Sequence, residues 1–206
     1  MKSKNKMFML LILPVCAYVT FSSTANSASE VSVLKTRLEK VDLQYKLPTG
    51  FVEAGSYTTF EDELAKDYNT SDSFVVHRIR SINKKITAYL DIRVLGWIDL
   101  KDPKFAAYPL VFASNAASYC ARFTRSKCSM MTSFDSGDVA ADYNADLGSV
   151  FKAEKPVTNR IEGHKKAVMV AVSKPNKGMF YIMIAYDLDD ELDKNLESIM
   201  YSLKFK

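Results

Sequence analysis

The sequence predicts an α+β fold: an antiparallel sheet covered by helices on both faces, an α/β/α sandwich in section. Three observations predict it. The runs 168–172 (Val-Met-Val-Ala-Val) and 179–185 (Met-Phe-Tyr-Ile-Met-Ile-Ala) are apolar, of strand length and separated by the turn cluster Lys174-Pro175-Asn176-Lys177-Gly178. Neither run alternates polar with apolar residues, so both faces of the hairpin need cover. Behind it Leu188, Leu192, Leu196, Ile199, Met200 and Leu203 recur at helical spacing and supply one cover. Elsewhere strand-like segments come in runs rather than alternating with helices, which favours antiparallel pairing over repeated βαβ units.

Taken in order, the chain opens with Lys2, Lys4 and Lys6, followed by an apolar core from Met7 to Val19 that only Pro14 interrupts. Small residues then sit at spacings that suit cleavage at Ala25, Ser27 or Ala28. This is the pattern of a secretory signal peptide over residues 1–28, leaving residues 29–206 as a single domain. The apolar core is shorter than the roughly 20 residues a spanning helix needs, so no integral membrane span is expected after cleavage. Leu13-Pro14-Val15-Cys16 has the outline of a lipobox, but Pro14 and Val15 fill positions that call for small residues, so lipid anchoring through Cys16 is not expected. Removing the three signal lysines takes the net charge from +4 to 25 basic against 24 acidic residues. The basicity belongs to the export signal and gives no warrant for a nucleic-acid partner. With hydrophobic residues at 48 %, the remainder suits a packed core and not disorder.

Val31, Leu34, Leu38 and Val41 keep helical spacing, after which Val41, Leu43, Tyr45 and Leu47 alternate with polar residues as a half-buried strand. Pro48-Thr49-Gly50 is a turn. Phe51-Val52 and then residues 56–60 read as two short strands. Residues 61–73 read as a polar loop or surface turn, and 74–80 as a strand paired in a hairpin with 86–94, the clearest strand in the chain. Asp102-Pro103 suits a helix start, with Phe105, Tyr108, Phe112, Ala116, Tyr119 and Phe123 on one face and Pro109 kinking or dividing it. Residues 130–134 suit a strand. Ser136-Gly137-Asp138 opens a second helix, with Val139, Tyr143, Leu147 and Val150 on one face and Phe151 beside them. Residues 157–161 suit another strand and Glu162-Gly163-His164 a turn.

Cys120 and Cys128 both lie past the signal. An even count in an exported chain predicts one disulfide, and the short loop it closes is worth about 2.5 kcal/mol. Arg122, Arg125 and Lys127 follow the helix end, where positive charge suits the dipole, and form a candidate partner surface for an anionic group. His77 and His164 are the only histidines, and neither has a second His, Cys or Glu at metal-ligand spacing, so no metal or cofactor is expected. The acidic cluster Asp187, Asp189, Asp190, Glu191 and Asp193 lacks the spacing and central Gly of a calcium loop and suits a helix N-terminus. No Gly-x-Ser-x-Gly elbow and no Gly-rich phosphate loop occurs.

Three stretches resemble the PsbP-like family of sandwich domains. Residues 43–51 (Leu-Gln-Tyr-Lys-Leu-Pro-Thr-Gly-Phe) are similar to its opening strand and Leu-Pro turn. Ile161-Glu162-Gly163-His164 leading into Val168 resembles its late meander, and residues 196–205 its closing helix and tail. The resemblance implies an antiparallel sheet between helices and an accessory or adaptor role in the cell envelope, with no catalytic residues. The expected function is that of an exported, non-catalytic accessory or binding protein of the periplasm or envelope, acting on an unidentified envelope protein, with oligomeric state open. The alternatives are an immunity or inhibitor protein against a toxin or hydrolase, an exported hydrolase with a site assembled from distant residues, and a ligand carrier.

Overall fold

The computed structural model describes residues 34–57, 76–96, 98–155, 161 and 163–206. The signal segment 1–28 with Cys16, the polar stretch 61–73 and the expected strand 157–160 lie outside the described residues.

The fold is α+β. Among the described residues nine strands and four helices run in the order α1 (34–40), β1 (Leu43–Tyr45), β2 (Phe51–Tyr57), β3 (Val76–Ser81), β4 (Ile86–Val94), α2 (Tyr108–Thr124), β5 (Cys128–Ser133), α3 (Ser136–Tyr143), β6 (Leu147–Ala153), β7 (Lys166–Lys174), β8 (Gly178–Tyr186), α4 (Asp189–Met200) and β9 (Leu203–Phe205). Seven strands form one antiparallel sheet in the order β2-β3-β4-β8-β7-β6-β5, and β1 pairs with β9 apart from it. Every pairing is antiparallel.

The two apolar runs are β7 and β8, joined through Lys174↔Gly178, and all nine residues of β8 are buried. Alternate residues of the central strands enter two separate buried clusters. One takes Ile86, Leu90, Val170, Ile182 and Ile184 with Leu192 and Ile199 of α4 and Val139 and Tyr143 of α3. The other takes Tyr89, Met169, Ala171, Tyr181 and Met183 with Phe112, Ala116, Tyr119 and Phe123 of α2. The polar row of β4 falls on the second side: Thr87, Tyr89 and Asp91 are as buried as the apolar row beside them.

The helical and strand boundaries depart from the sequence expectation in specific places. Asp102 caps only a 3-10 turn, Pro103–Phe105, accepting from the Lys104 amide at 3.0 Å. Pro109 has no amide to donate and its ring would meet the carbonyl of Phe105 in a continuous helix, so α2 restarts at Tyr108 with Pro109 in its first turn. The helix expected from Ser136 through Phe151 stops at Tyr143, where Asn144 turns left-handed at φ 50°. Leu147 and Val150 therefore lie on β6, a strand the helical spacing concealed, with Phe151 opposite Met169. Leu203 lies beyond α4, in β9. The strand expected over residues 41–47 is only the three residues of β1. Phe51-Val52 and the start of the strand expected over residues 56–60 are one strand, β2, with a register shift between Glu53 and Ser56; residues 58–60 lie outside the described residues.

Close backbone approach explains one glycine. A Cβ at Gly178 would lie 2.6 Å from the Arg93 carbonyl oxygen and 2.7 Å from Val41 Cγ1. Neither the β4 backbone nor a Val41 with no exposed surface can retreat cheaply. Gly178→Ala should lower unfolding stability by about 2 kcal/mol, the middle of the range for added carbon in a packed interior. A change under about 0.5 kcal/mol in urea denaturation would show that the strand pair gives way.

Candidate functional site: the disulfide corner and the outer strand β5

The α2 helix buries Phe112, Ala116, Tyr119, Cys120 and Phe123 along one side, at the spacing that packing against the sheet requires. The helix stops because Arg125 adopts a left-handed conformation at φ 51° and turns the chain back. Thr124 consolidates the turn: its hydroxyl donates to the Cys120 carbonyl at 2.8 Å, and the Ser126 amide donates to Thr124 Oγ1 at 3.3 Å. Cys120 and Cys128 are disulfide-bonded, with Cα atoms 6.0 Å apart, tying the last turn of α2 to the first residue of β5.

Beyond the staple the strand is open. In β5 only Cys128 is buried, and Met130 and Met131 stand 51 % and 60 % exposed. Among the described residues the strand pairs with β6 on one side only, and the pairing shifts between Met130 and Thr132, leaving Met131 as the extra residue. The ladder extends past both ends, through Glu154 N–H to the Lys127 carbonyl at 2.9 Å and Phe134 N–H to the Gly148 carbonyl at 3.0 Å. Arg122, Arg125 and Lys127 are all exposed on the stapled corner, and Lys127 Nζ lies 3.2 Å from Glu154. Past the strand, Asp135 caps α3 by accepting from the Gly137 amide at 2.8 Å, and Asp138 follows in the first turn. Sequence reasoning named the basic corner and missed the strand edge, because nothing in Cys-Ser-Met-Met-Thr-Ser says which strand ends a sheet.

The two histidines are buried and lie at different places. His77, on β3, meets Glu53 of β2 through Nε2, and the Tyr45 hydroxyl donates to the other Glu53 oxygen at 2.9 Å. Burial pushes the Glu53 carboxyl up, but the His77 and Tyr45 bonds prevail and hold it below the usual range. His164 sits where Gly163, at φ 86°, turns the chain into β7. Its Nδ1 is 3.0 Å from Asp187 Oδ2 and its Nε2 3.3 Å from Thr87 Oγ1. Asp187 also accepts from the Lys165 amide at 3.0 Å. Desolvation acts against its charge, yet the His164 and Lys165 bonds bring its carboxyl below normal. Hydroxyl, imidazole and carboxylate are in the order of a nucleophile triad, but Thr87 has no exposed surface, so no substrate reaches its oxygen.

A third polar group lies inside the second cluster. Asp91, 1 % exposed, accepts from Arg93 Nε at 3.0 Å and Nη2 at 2.9 Å through one oxygen. The Arg93 guanidinium lies 4.8 Å from the Tyr119 ring and 5.2 Å from Tyr181, and these rings are stacked at 4.5 Å. Burial works against the charge of Arg93, but Asp91 and the two tyrosines outweigh it and the guanidinium stays firmly protonated. The acidic cluster forms the start of α4, with Asp189, Asp190 and Glu191 in its first turn. Asp189 meets Lys166 at 2.6 Å and Glu191 meets Lys85 at 2.8 Å. Among the described residues no three His, Cys, Asp or Glu side chains gather as metal ligands, and no helix is long and apolar enough to cross a membrane.

The chain matches no family model, no curated protein and no solved structure.

Proposed function

We propose that this protein is an exported, non-catalytic accessory protein of the periplasm or cell envelope that acts through protein–protein contacts, with β5 and the stapled corner as its contact surface. The observation that carries this reading is the state of β5: an outer strand, uncharged along its length, with five of its six residues exposed. Such a strand keeps backbone donors and acceptors on its open side and accepts an added strand through them, and exposed methionines adapt to varied apolar side chains. The Cys120–Cys128 bond holds the strand's first residue against α2, which lowers the ordering cost of docking. The bond also needs an oxidising compartment, in keeping with the signal-like residues 1–28.

The two buried clusters support an α/β/α sandwich, with α2 on one side of the sheet and α3 and α4 on the other. That layering is what the three PsbP-like stretches imply, and those stretches also favour an adaptor role. The rival hydrolase reading would rest on Thr87, His164 and Asp187, and the complete burial of Thr87 favours a structural latch instead.

Affinity capture from envelope extracts tests the reading. A specific partner should be retained by the natural chain, lost with Met131→Lys, and kept with Leu110→Lys, a control on the exposed side of α2. Equal retention by Met131→Lys, or a turnover abolished by His164→Ala, would overturn it.

A further inference from the structure

Past residues 1–28 the chain holds no free thiol, because Cys120 and Cys128 are bonded to each other. Its softest nucleophiles are then the thioethers of Met130, Met131, Met169, Met179, Met183 and Met200. All lie among the described residues, and they divide by place. Met169, Met179 and Met183 are buried in the second cluster, where the Tyr181 hydroxyl also donates to the Met179 sulfur at 3.0 Å. Met200 is half-buried against the first cluster. Met130 and Met131 are each more than half exposed and stand side by side on β5. Met130 lies opposite Phe151, and the Ser133 hydroxyl donates to its sulfur at 3.5 Å. Met131 is the extra residue at the register shift.

A peroxide oxidises a thioether wherever it can approach the sulfur. The sulfur attacks one peroxide oxygen, the O–O bond breaks and an S–O bond forms. The sulfur gives up two electrons, and the proton on the transferred oxygen passes to the departing one, which leaves as water or an alcohol. A flexible apolar side chain thereby becomes a polar, chiral sulfoxide. A partner that covers the side chain must then pair the new oxygen or bury it unsatisfied. The Ser133 hydroxyl, already at the Met130 sulfur, meets in the sulfoxide a stronger acceptor than a thioether.

We propose that Met130 and Met131 are a paired oxidation site: a peroxide converts them to sulfoxides while the folded chain shields its other methionines, and the modified strand releases its partner. This rests on the reading of β5 and the stapled corner as the contact surface and gives that surface its regulation. It asks nothing of the β5 backbone, only that a partner covers the two side chains. Met131 reacts first, because the Ser133 hydroxyl draws on a lone pair of the Met130 sulfur.

The test treats the chain, disulfide intact, with hydrogen peroxide and locates the mass gain of one oxygen atom by peptide mass spectrometry. Met130 and Met131 should oxidise at least about tenfold faster than Met169, Met179 and Met183, and unfolding in urea should erase the difference. Ser133→Ala should speed Met130 relative to Met131. Capture of a partner from envelope extracts should fall at least about tenfold after oxidation. It should return after treatment with the sulfoxide reductases for both epimers and their dithiol donor. The variant Met130→Leu with Met131→Leu keeps apolar side chains of similar volume, so it should hold its partner with or without peroxide. Carried through the same reduction, it also reports any effect of the dithiol on the disulfide. Equal rates at the exposed and buried methionines of the folded chain overturn the proposal, and so does full capture by the oxidised chain. If the oxidised chain keeps its partner while Met131→Lys loses it, the contact surface stands and its regulation fails. If neither change affects capture, both fail.

Discussion

Asp91→Asn should cost about 3 kcal/mol of unfolding stability and lower the melting temperature by about 10 °C. The side chain is 1 % exposed and its Oδ2 takes two hydrogen bonds from Arg93. Asparagine keeps the shape but removes the charge, leaving the guanidinium, a quarter exposed, against the faces of the Tyr119 and Tyr181 rings without its carboxylate. Ring faces stabilise a cation by about 1–2 kcal/mol, less than the several needed to hold it away from water. The decisive comparison is the pair replaced together. Asp91→Leu with Arg93→Met removes both charges and should recover most of the loss, since apolar side chains of similar volume replace a buried ion pair at little cost. A single substitution that costs under 1 kcal/mol in urea denaturation would mean that Arg93 escapes to solvent, and the double variant would then gain nothing.

Cutting the staple should cost about 2.5 kcal/mol, the chain-entropy value for a bond between residues with a sequence separation of 8. The loss should appear equally on adding reductant or in Cys120→Ala with Cys128→Ala, and the natural chain with reductant should match the double variant. The local signature matters more than the total. Amide exchange in β5 should rise well before exchange in β7 and β8, because Cys128 is the only buried residue on β5 and the bond is its covalent tie to α2. Unchanged exchange in β5 after reduction would show that the Phe151 and Met169 side of the sheet holds the edge unaided. Capture of a partner should fall with reduction if the staple preorganises the strand.

The sheet's centre was legible because the physics that makes it is local. Residues 168–172 and 179–185 are apolar on every position, and the turn between them is spelled out in Pro175-Asn176-Lys177-Gly178. The disulfide was legible from the even count of cysteines past the signal-like start. What escaped was decided by single residues or by distant ones. Asn144 ends α3 by adopting a left-handed backbone, after which Leu147 and Val150 continue the helical spacing by coincidence while lying on a strand. The alternation of β4 announces a strand but reads as half-wet. Its polar row is buried because Arg93 supplies a charge for Asp91 and His164 a partner for Thr87. The proposed contact surface was half legible: Arg122, Arg125 and Lys127 stood out by charge, whereas the outer position of β5 among the described strands depends on strand order, which no local pattern encodes.

The pairing of β1 with β9 has a consequence for how the protein is made. Leu43 lies opposite Phe205 and Tyr45 opposite Leu203, and Leu203 and Phe205 help fill the first buried cluster. In the sheet, Asp91 of β4 waits for Tyr181 of β8. A nascent chain still missing residues 178–205 therefore lacks β8, the middle strand of its sheet, and the residues that close its core. Folding must follow translation of those last strands, and its long loop closures make it slow. Until then the growing polypeptide stays unfolded, its strands made but unpaired.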